Sequence, residues 1–132
     1  MIFKLHSFSR NRRKEISKSV KIYFYDLGIR NALLQSFAPL NLRSDSGALW
    51  ENFCIIERKK NNQINSNSAN QYFYRTYNWE EVDYIEESNG KLEGYELKFS
   101  KDSAKPPKTF LSQYPNSSFK IIDKTNWNEF LL

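Results

Sequence analysis

In the run Tyr95-Glu96-Leu97-Lys98-Phe99, a glutamate and a lysine stand two residues apart between apolar neighbours. Strand periodicity puts Glu96 and Lys98 on one face and turns Tyr95, Leu97 and Phe99 to the other, towards a core. Upstream, Glu81 and Asp83 share a face while Val82 and Tyr84 take the opposite one. Asn89-Gly90 separates the two runs, a type I′ hairpin signal because that turn needs positive φ at both central residues. The hairpin sets the strands side by side, so Asp83 is expected near Glu96 with Lys98 beside them. Two carboxylates so placed repel unless something positive lies between them. A divalent cation with oxygen ligands answers that need, and Mg²⁺ typically takes one or two protein carboxylates plus water and phosphate oxygens. A lysine at such a site orients or deprotonates an attacking water. Together these groups are the equipment for metal-assisted phosphodiester hydrolysis.

Glu-x-Lys alone is weak evidence: with ten Glu and thirteen Lys in 132 residues, about one copy arises by chance at such a composition. A second copy, Glu57-Arg58-Lys59, lies on an expected helix, where residues two apart do not face each other. What distinguishes Glu96 and Lys98 is the order of elements around them.

Those elements follow from pattern. Residues 21–27 form a β-rich run that Gly28 punctuates, and residues 29–37 read as a short helix. Ser44-Asp45-Ser46 is an N-cap signal for the strongest helix, 48–60, where Leu49, Phe53 and Ile56 make one apolar stripe that Trp50 and Cys54 widen. The Asn- and Ser-rich residues 61–70 read as a loop. Strands are expected at 71–76, 82–87 and 92–100, a helix after Pro106-Pro107 over 108–114, a strand at 119–123 and a terminal helix at 126–132. Helix, three strands, helix, strand describes an α/β layered domain with one mixed central sheet flanked by helices.

Charge and composition narrow the choices. The net charge of +5 comes wholly from residues 10–21, where Arg10, Arg12, Arg13, Lys14, Lys18 and Lys21 oppose Glu15 alone. Residues 1–20 therefore read as a basic arm or linker and 21–132 as the domain. Arg12, Arg13 and Lys14 in the arm either bind phosphates, with strong salt dependence, or belong to a linker. One cysteine excludes an internal disulfide, and one cysteine with one histidine cannot make a Cys/His zinc site. His6 has no nearby partner for a nucleophilic triad. No apolar run approaches a membrane span, no secretory stretch opens the chain, and a cytoplasmic protein without membrane contact is the expectation.

An α-helical Glu, a strand Asp and then Glu-x-Lys on the next strand resemble the PD-(D/E)xK nuclease superfamily, the restriction-endonuclease-like fold. The longer text, KIYFYDLGIRNALL (21–34), GALWENFCIIE (47–57), YFYRTYNWEEVDYIEESNG (72–90), GYELKFS (94–100) and FKIIDKTNWNEFL (119–131), resembles a bacterial domain of unknown function. That domain usually sits at the C-terminus of AAA+ ATPase proteins and is considered nuclease-like from its motif. The resemblance spans residue 17 or so to the end of the chain. It implies a restriction-endonuclease-like core, with Asp83 and Glu96 as metal-binding carboxylates, the Leu97 carbonyl as a further ligand and Lys98 as the catalytic lysine. Glu51 matches the carboxylate that the first core helix often contributes. Its helical position beside Ile55 and Arg58 equally suits a solvent-exposed residue paired to Arg58. Glu81 is a lesser candidate. Val82 stands where the motif has Pro, a tolerated departure. The resemblance also implies Mg²⁺ or Mn²⁺, a DNA substrate and an AAA+ ATPase module in cis or in trans. No GxxxxGK[ST] occurs, so the chain is expected to be a C-terminal fragment or a stand-alone copy.

Two functional readings stand side by side: metal-dependent hydrolysis of DNA, or a non-catalytic module that binds DNA or regulates an ATPase partner. Arg75 contacts phosphate in the first, or pairs with a carboxylate such as Glu81. Tyr23, Tyr25, Trp50, Tyr72 and Tyr74 stack bases or fill the core. Cys54 falls on the apolar side of its helix and reads as packing.

Overall fold

A computed structural model describes residues 2–11, 13–35, 37–39, 42–99 and 105–132. Alternating β-branched and aromatic runs fold into Ile2–Ser7 (β1), Val20–Phe24 (β2), Asn70–Arg75 (β3), Glu81–Ser88 (β4), Lys91–Leu97 (β5) and Ser117–Ile122 (β6). The helices are Leu27–Leu33 (α1), Ser46–Ile64 (α2), Lys108–Gln113 (α3) and Trp127–Leu131 (α4). Among the described residues this is a mixed α/β fold with four helices and one six-stranded sheet, ordered β2-β1-β3-β4-β5-β6. The pairs β1–β2, β3–β4 and β4–β5 are antiparallel, whereas β1–β3 and β5–β6 are parallel. Parallel pairing needs a crossover, and α2 and α3 lie within those two connections.

Two apolar layers sandwich the sheet. On one face Leu5, Tyr23, Phe73, Tyr84, Leu97 and Ile122 pack against Cys54, Ile55 and Ile56 of α2 and Phe130 and Leu131 of α4. On the other, Phe8, Tyr74, Val82, Ile85 and Leu92 pack against Phe110 and Tyr114. Asn89 and Gly90 take φ of 52° and 78°, the left-handed conformations that the tight β4–β5 turn requires.

Residues 1–20 are expected as an arm, but within them Ile2–Ser7 form a strand of this sheet. β1 lies between β2 and β3, with Leu5 fully buried and Phe8 nearly so. Its polar partners Lys4 and His6 alternate with Phe3 and Leu5, a half-buried pattern too short to stand out beside the basic run that follows. Glu15 is buried as well: Tyr114 Oη donates to both of its oxygens at 2.6 and 2.8 Å, and the Arg10 and Asn11 amides donate at 3.0 and 2.9 Å. The basic segment is thus folded back against the sheet around a buried carboxylate.

α2 runs further than expected in both directions, taking in residues 61–64 of the presumed loop. Asn62 explains the extension, because its buried amide donates to Glu86 at 2.6 Å. At the other end Asp45 occupies the N-cap but makes no capping bond. Arg43 binds it through two hydrogen bonds of 2.7 and 2.8 Å and Arg30 adds a third at 3.2 Å. These pairs tie α1 to the start of α2.

Candidate functional site

A β-bulge sets the geometry of the site. Tyr72 pairs with Ile85 and Tyr74 with Val82, so Asp83 and Tyr84 of β4 together oppose Phe73. Such a bulge re-aims side chains and often borders active sites. Val82 keeps to the Phe110 layer, but Tyr84, expected on the same face as Val82, is displaced into the α2 layer. Strict alternation fails here because an extra residue resets it.

The paired register of β4 and β5 runs from Ser88–Lys91 to Tyr84–Tyr95. Beyond that pair the Asp83 carboxylate takes over, accepting the Leu97 amide hydrogen at 2.9 Å through Oδ2. The strands therefore part at the point where Asp83 and Glu96 stand. Tyr95 and Leu97 turn to the α2 layer, and Phe99 meets Trp50 edge-on at 6.2 Å between ring centroids. Glu96 pairs with Lys98 at 3.3 Å.

Around this fork Gly47, Ala48 and Glu51 of α2, with Glu81, Asp83, Glu96, Leu97, Lys98 and Phe99, line an open, mostly polar cleft of about 400 Å³. The structure thus brings together Asp83, Glu96, Lys98, Leu97, Glu51 and Glu81. Glu51 does not pair with Arg58. It accepts the Tyr23 hydroxyl hydrogen at 2.8 Å, while Arg58 makes a two-pronged bond to buried Glu86 at 2.7 and 2.9 Å. The Arg58 pairing fails because a helical wheel shows only what α2 itself presents, and the Glu51 partner comes from β2.

Of the residues expected to contact DNA, Arg75 pairs with Glu81 at 3.3 Å on the rim of the same cluster. Arg13 and Lys14 are exposed, in the turn that precedes Glu15. Arg12 lies outside the described residues. Tyr23 and Tyr74 are buried and belong to the core. Tyr72 packs edge-on against Phe8 at 5.3 Å, and Tyr25 is exposed beside Phe3. Cys54 is fully buried, and burial followed by the nearby Glu51 pushes its thiol pKa up to about 12.

The site's electrostatics are strained around Asp83 and Glu96. Burial, reinforced by Glu51, pushes the Asp83 carboxyl up to about 7 despite the Leu97 amide and Lys21. Burial and the Asp83 charge push Glu96 up to about 7 as well, against the pull of Lys98. Glu81 goes the other way: burial disfavours its charge, but Lys21 and Arg75 outweigh that and hold it below the usual range.

Lys21 is the cleft residue that pattern reading missed. Its ammonium stands 2.7 Å from Glu81, 3.8 Å from Glu51 and 3.9 Å from Asp83, over the Phe73 ring at 5.0 Å. Burial opposes its charge, yet Glu51, Glu81 and Asp83 raise its pKa above that of a free lysine. The signal lies in the alternation of Lys21 and Tyr23, but the basic run ahead of Lys21 masks it. Among the described residues no group of three or more His, Cys, Asp or Glu side chains is disposed to hold a metal ion.

Fold and site together define an α/β domain with a carboxylate-and-lysine cleft at a fork between two central strands. Residues 46–129 match the model of a domain of unknown function, DUF4143, and the chain belongs to that family. Residues 1–40 match a second domain of unknown function, DUF8612. No curated protein matches the chain, and no solved structure does. Among the described residues no helix is long and apolar enough to cross a membrane.

Proposed function

We propose that this chain is a nuclease-like domain of the restriction-endonuclease-like type that hydrolyses DNA phosphodiesters with Mg²⁺ or Mn²⁺. One observation carries the reading: Asp83, Glu96 and Lys98 line one open cleft where the paired register of β4 and β5 ends, with Lys98 paired to Glu96. Both carboxyls are held above their ordinary range by burial and by their neighbours' charges, so a cation between them relieves a cost that the apoprotein bears. A hard cation with oxygen ligands fits that donor pair. It would rest on Asp83, Glu96 and the Leu97 carbonyl, completed by water and phosphate oxygens, since Mg²⁺ commonly keeps few protein ligands. When bound, it would polarise the scissile phosphate and lower the pKa of a coordinated water. The chain's own residues do the rest. Lys98 orients the attacking water, Glu96 holds the Lys98 ammonium in place, and the Leu97 amide fixes the Asp83 carboxylate. Glu51 supports the same wall of the cleft from α2.

A second reading has its own support. Lys21 already lies against three carboxylates of the cleft, an arrangement that also suits a non-catalytic module binding DNA or regulating an AAA+ ATPase carried in cis or in trans. Cleavage assays separate the two. Plasmid or branched DNA should be cut only with Mg²⁺ or Mn²⁺, and activity should fall by at least about a hundredfold in Glu96→Ala and Lys98→Ala proteins whose circular dichroism is unchanged. Cleavage that survives both substitutions refutes this site. DNA binding without any cleavage favours the module.

A further inference from the structure

One cation of the cleft, Lys21, comes from outside the DUF4143 match. Glu51, Glu81, Asp83, Glu96 and Lys98 all lie within residues 46–129, whereas Lys21 and Tyr23 lie within the separately matched residues 1–40. β2 is two strands away from β3 in the sheet order and three from β4. The Lys21 ammonium nevertheless reaches the cleft, standing 5.0 Å over the Phe73 ring and among three carboxylates. Only Glu81 is at hydrogen-bond distance, 2.7 Å. The Asp83 contact is longer, 3.9 Å, and it is made by Oδ1. Oδ2 is the oxygen committed to the Leu97 amide. The Asp83 oxygen with no backbone partner among the described residues is therefore the one turned towards Lys21.

We infer that Lys21 is a built-in counter-ion that competes with a divalent cation for the Asp83 carboxylate, and so sets how tightly the cleft takes one up. The inference rests on the proposed metal-dependent site and names its control. Lys21 acts through Asp83, Glu81 and Glu51, as a positioning residue. Two positive groups sharing a carboxylate oppose each other even in water, where unit charges a few ångströms apart interact by an amount on the order of RT and a divalent ion doubles it. Removing the ammonium while keeping the stem should therefore strengthen cation uptake rather than weaken it. A purely structural salt bridge has the opposite signature: its loss loosens Glu51, Glu81 and Asp83 and weakens any shared site.

Calorimetric titration of the full chain with Mn²⁺ decides the point, on wild type, Lys21→Met, Lys21→Arg and Glu96→Gln. The expected result is that Lys21→Met binds Mn²⁺ at least about tenfold more tightly than wild type, Lys21→Arg behaves like wild type, and Glu96→Gln loses binding. Equal or weaker binding by folded Lys21→Met, with wild-type binding abolished by Glu96→Gln, overturns the role of Lys21 and leaves the metal site standing. Uptake by neither wild type nor Lys21→Met, or uptake that survives Glu96→Gln, overturns the metal site and the inference together. Where Lys21→Met fails to fold, the charge-balanced Lys21→Gln/Glu81→Gln protein is compared with Glu81→Gln alone, and the same tightening is expected.

Discussion

Asp83 and Glu96 are carboxyl groups that the fold keeps protonated more readily than an unfolded chain would. A raised acid pKa means that the native state holds extra protons between the unfolded value and the folded one. For Asp83 that window runs from 3.8 to about 7. Stability contributed by this pair is present below the window and is lost as pH rises through it, the reverse of a salt-bridged carboxylate. An Asp83→Asn protein keeps an oxygen for the Leu97 amide and loses the charge. Thermal unfolding should show it close to wild type near pH 4, with its advantage growing up to pH 7 and then levelling. Saturating Mg²⁺ should raise the wild-type midpoint more at pH 8 than at pH 5. A wild-type profile parallel to that of Asp83→Asn across this range would contradict the strained pair. At this scale Asp83, Glu96 and Lys98 were legible because period-two spacing and a hairpin turn are local signals. Lys21 was not, because its partners are 30, 60 and 62 positions away in the chain, and such distances leave no trace in local pattern.

Strand pairing explains both what the pattern captured and what it lost. Asn89-Gly90 and the alternation on either side predict the β4–β5 hairpin, and it is there. The bulge at Asp83-Tyr84 is invisible to the same reading, since no glycine marks it, and it sends Tyr84 to the α2 layer with its hydroxyl donating to Glu86 at 2.8 Å. Arg58, Asn62 and Tyr84 then satisfy that buried carboxylate, which fixes α2 against β4 and so fixes Glu51 relative to Asp83. On the other face Gly94 lets β5 approach α3. A Cβ there would stand 3.0 Å from Val82 Cγ1, 3.2 Å from Phe110 and 3.3 Å from the Ser118 carbonyl oxygen. Gly94→Ala should therefore destabilise the fold by about 1–3 kcal/mol through overpacking, read as a lower denaturant midpoint with an unchanged slope. A neutral or stabilising effect would mean that the β5–α3 contact is looser than described.

Over the whole molecule, the basic segment changes meaning once β1 is placed. A tail whose only asset is charge can be removed at no cost to folding, but residues 1–20 supply an interior strand, buried Leu5 and Phe8, and the Glu15–Tyr114 contact. Deleting them should abolish cooperative unfolding and amide dispersion in nuclear magnetic resonance spectra. A deletion protein that unfolds cooperatively like wild type would restore the arm. Exposed Arg13 and Lys14 of that segment therefore sit on a turn held to the folded body by buried Glu15.

In the proposed function Asp83 and Glu96 share one divalent cation at the β4–β5 fork. Substoichiometric Mn²⁺ added to isotope-labelled protein reads this directly, because paramagnetic broadening falls off steeply with distance from the ion. The amides of Asp83, Glu96, Leu97 and Lys98 should broaden first, and Glu96→Gln should abolish the effect. Broadening that leaves these four amides sharp, or that persists unchanged in Glu96→Gln, would contradict it.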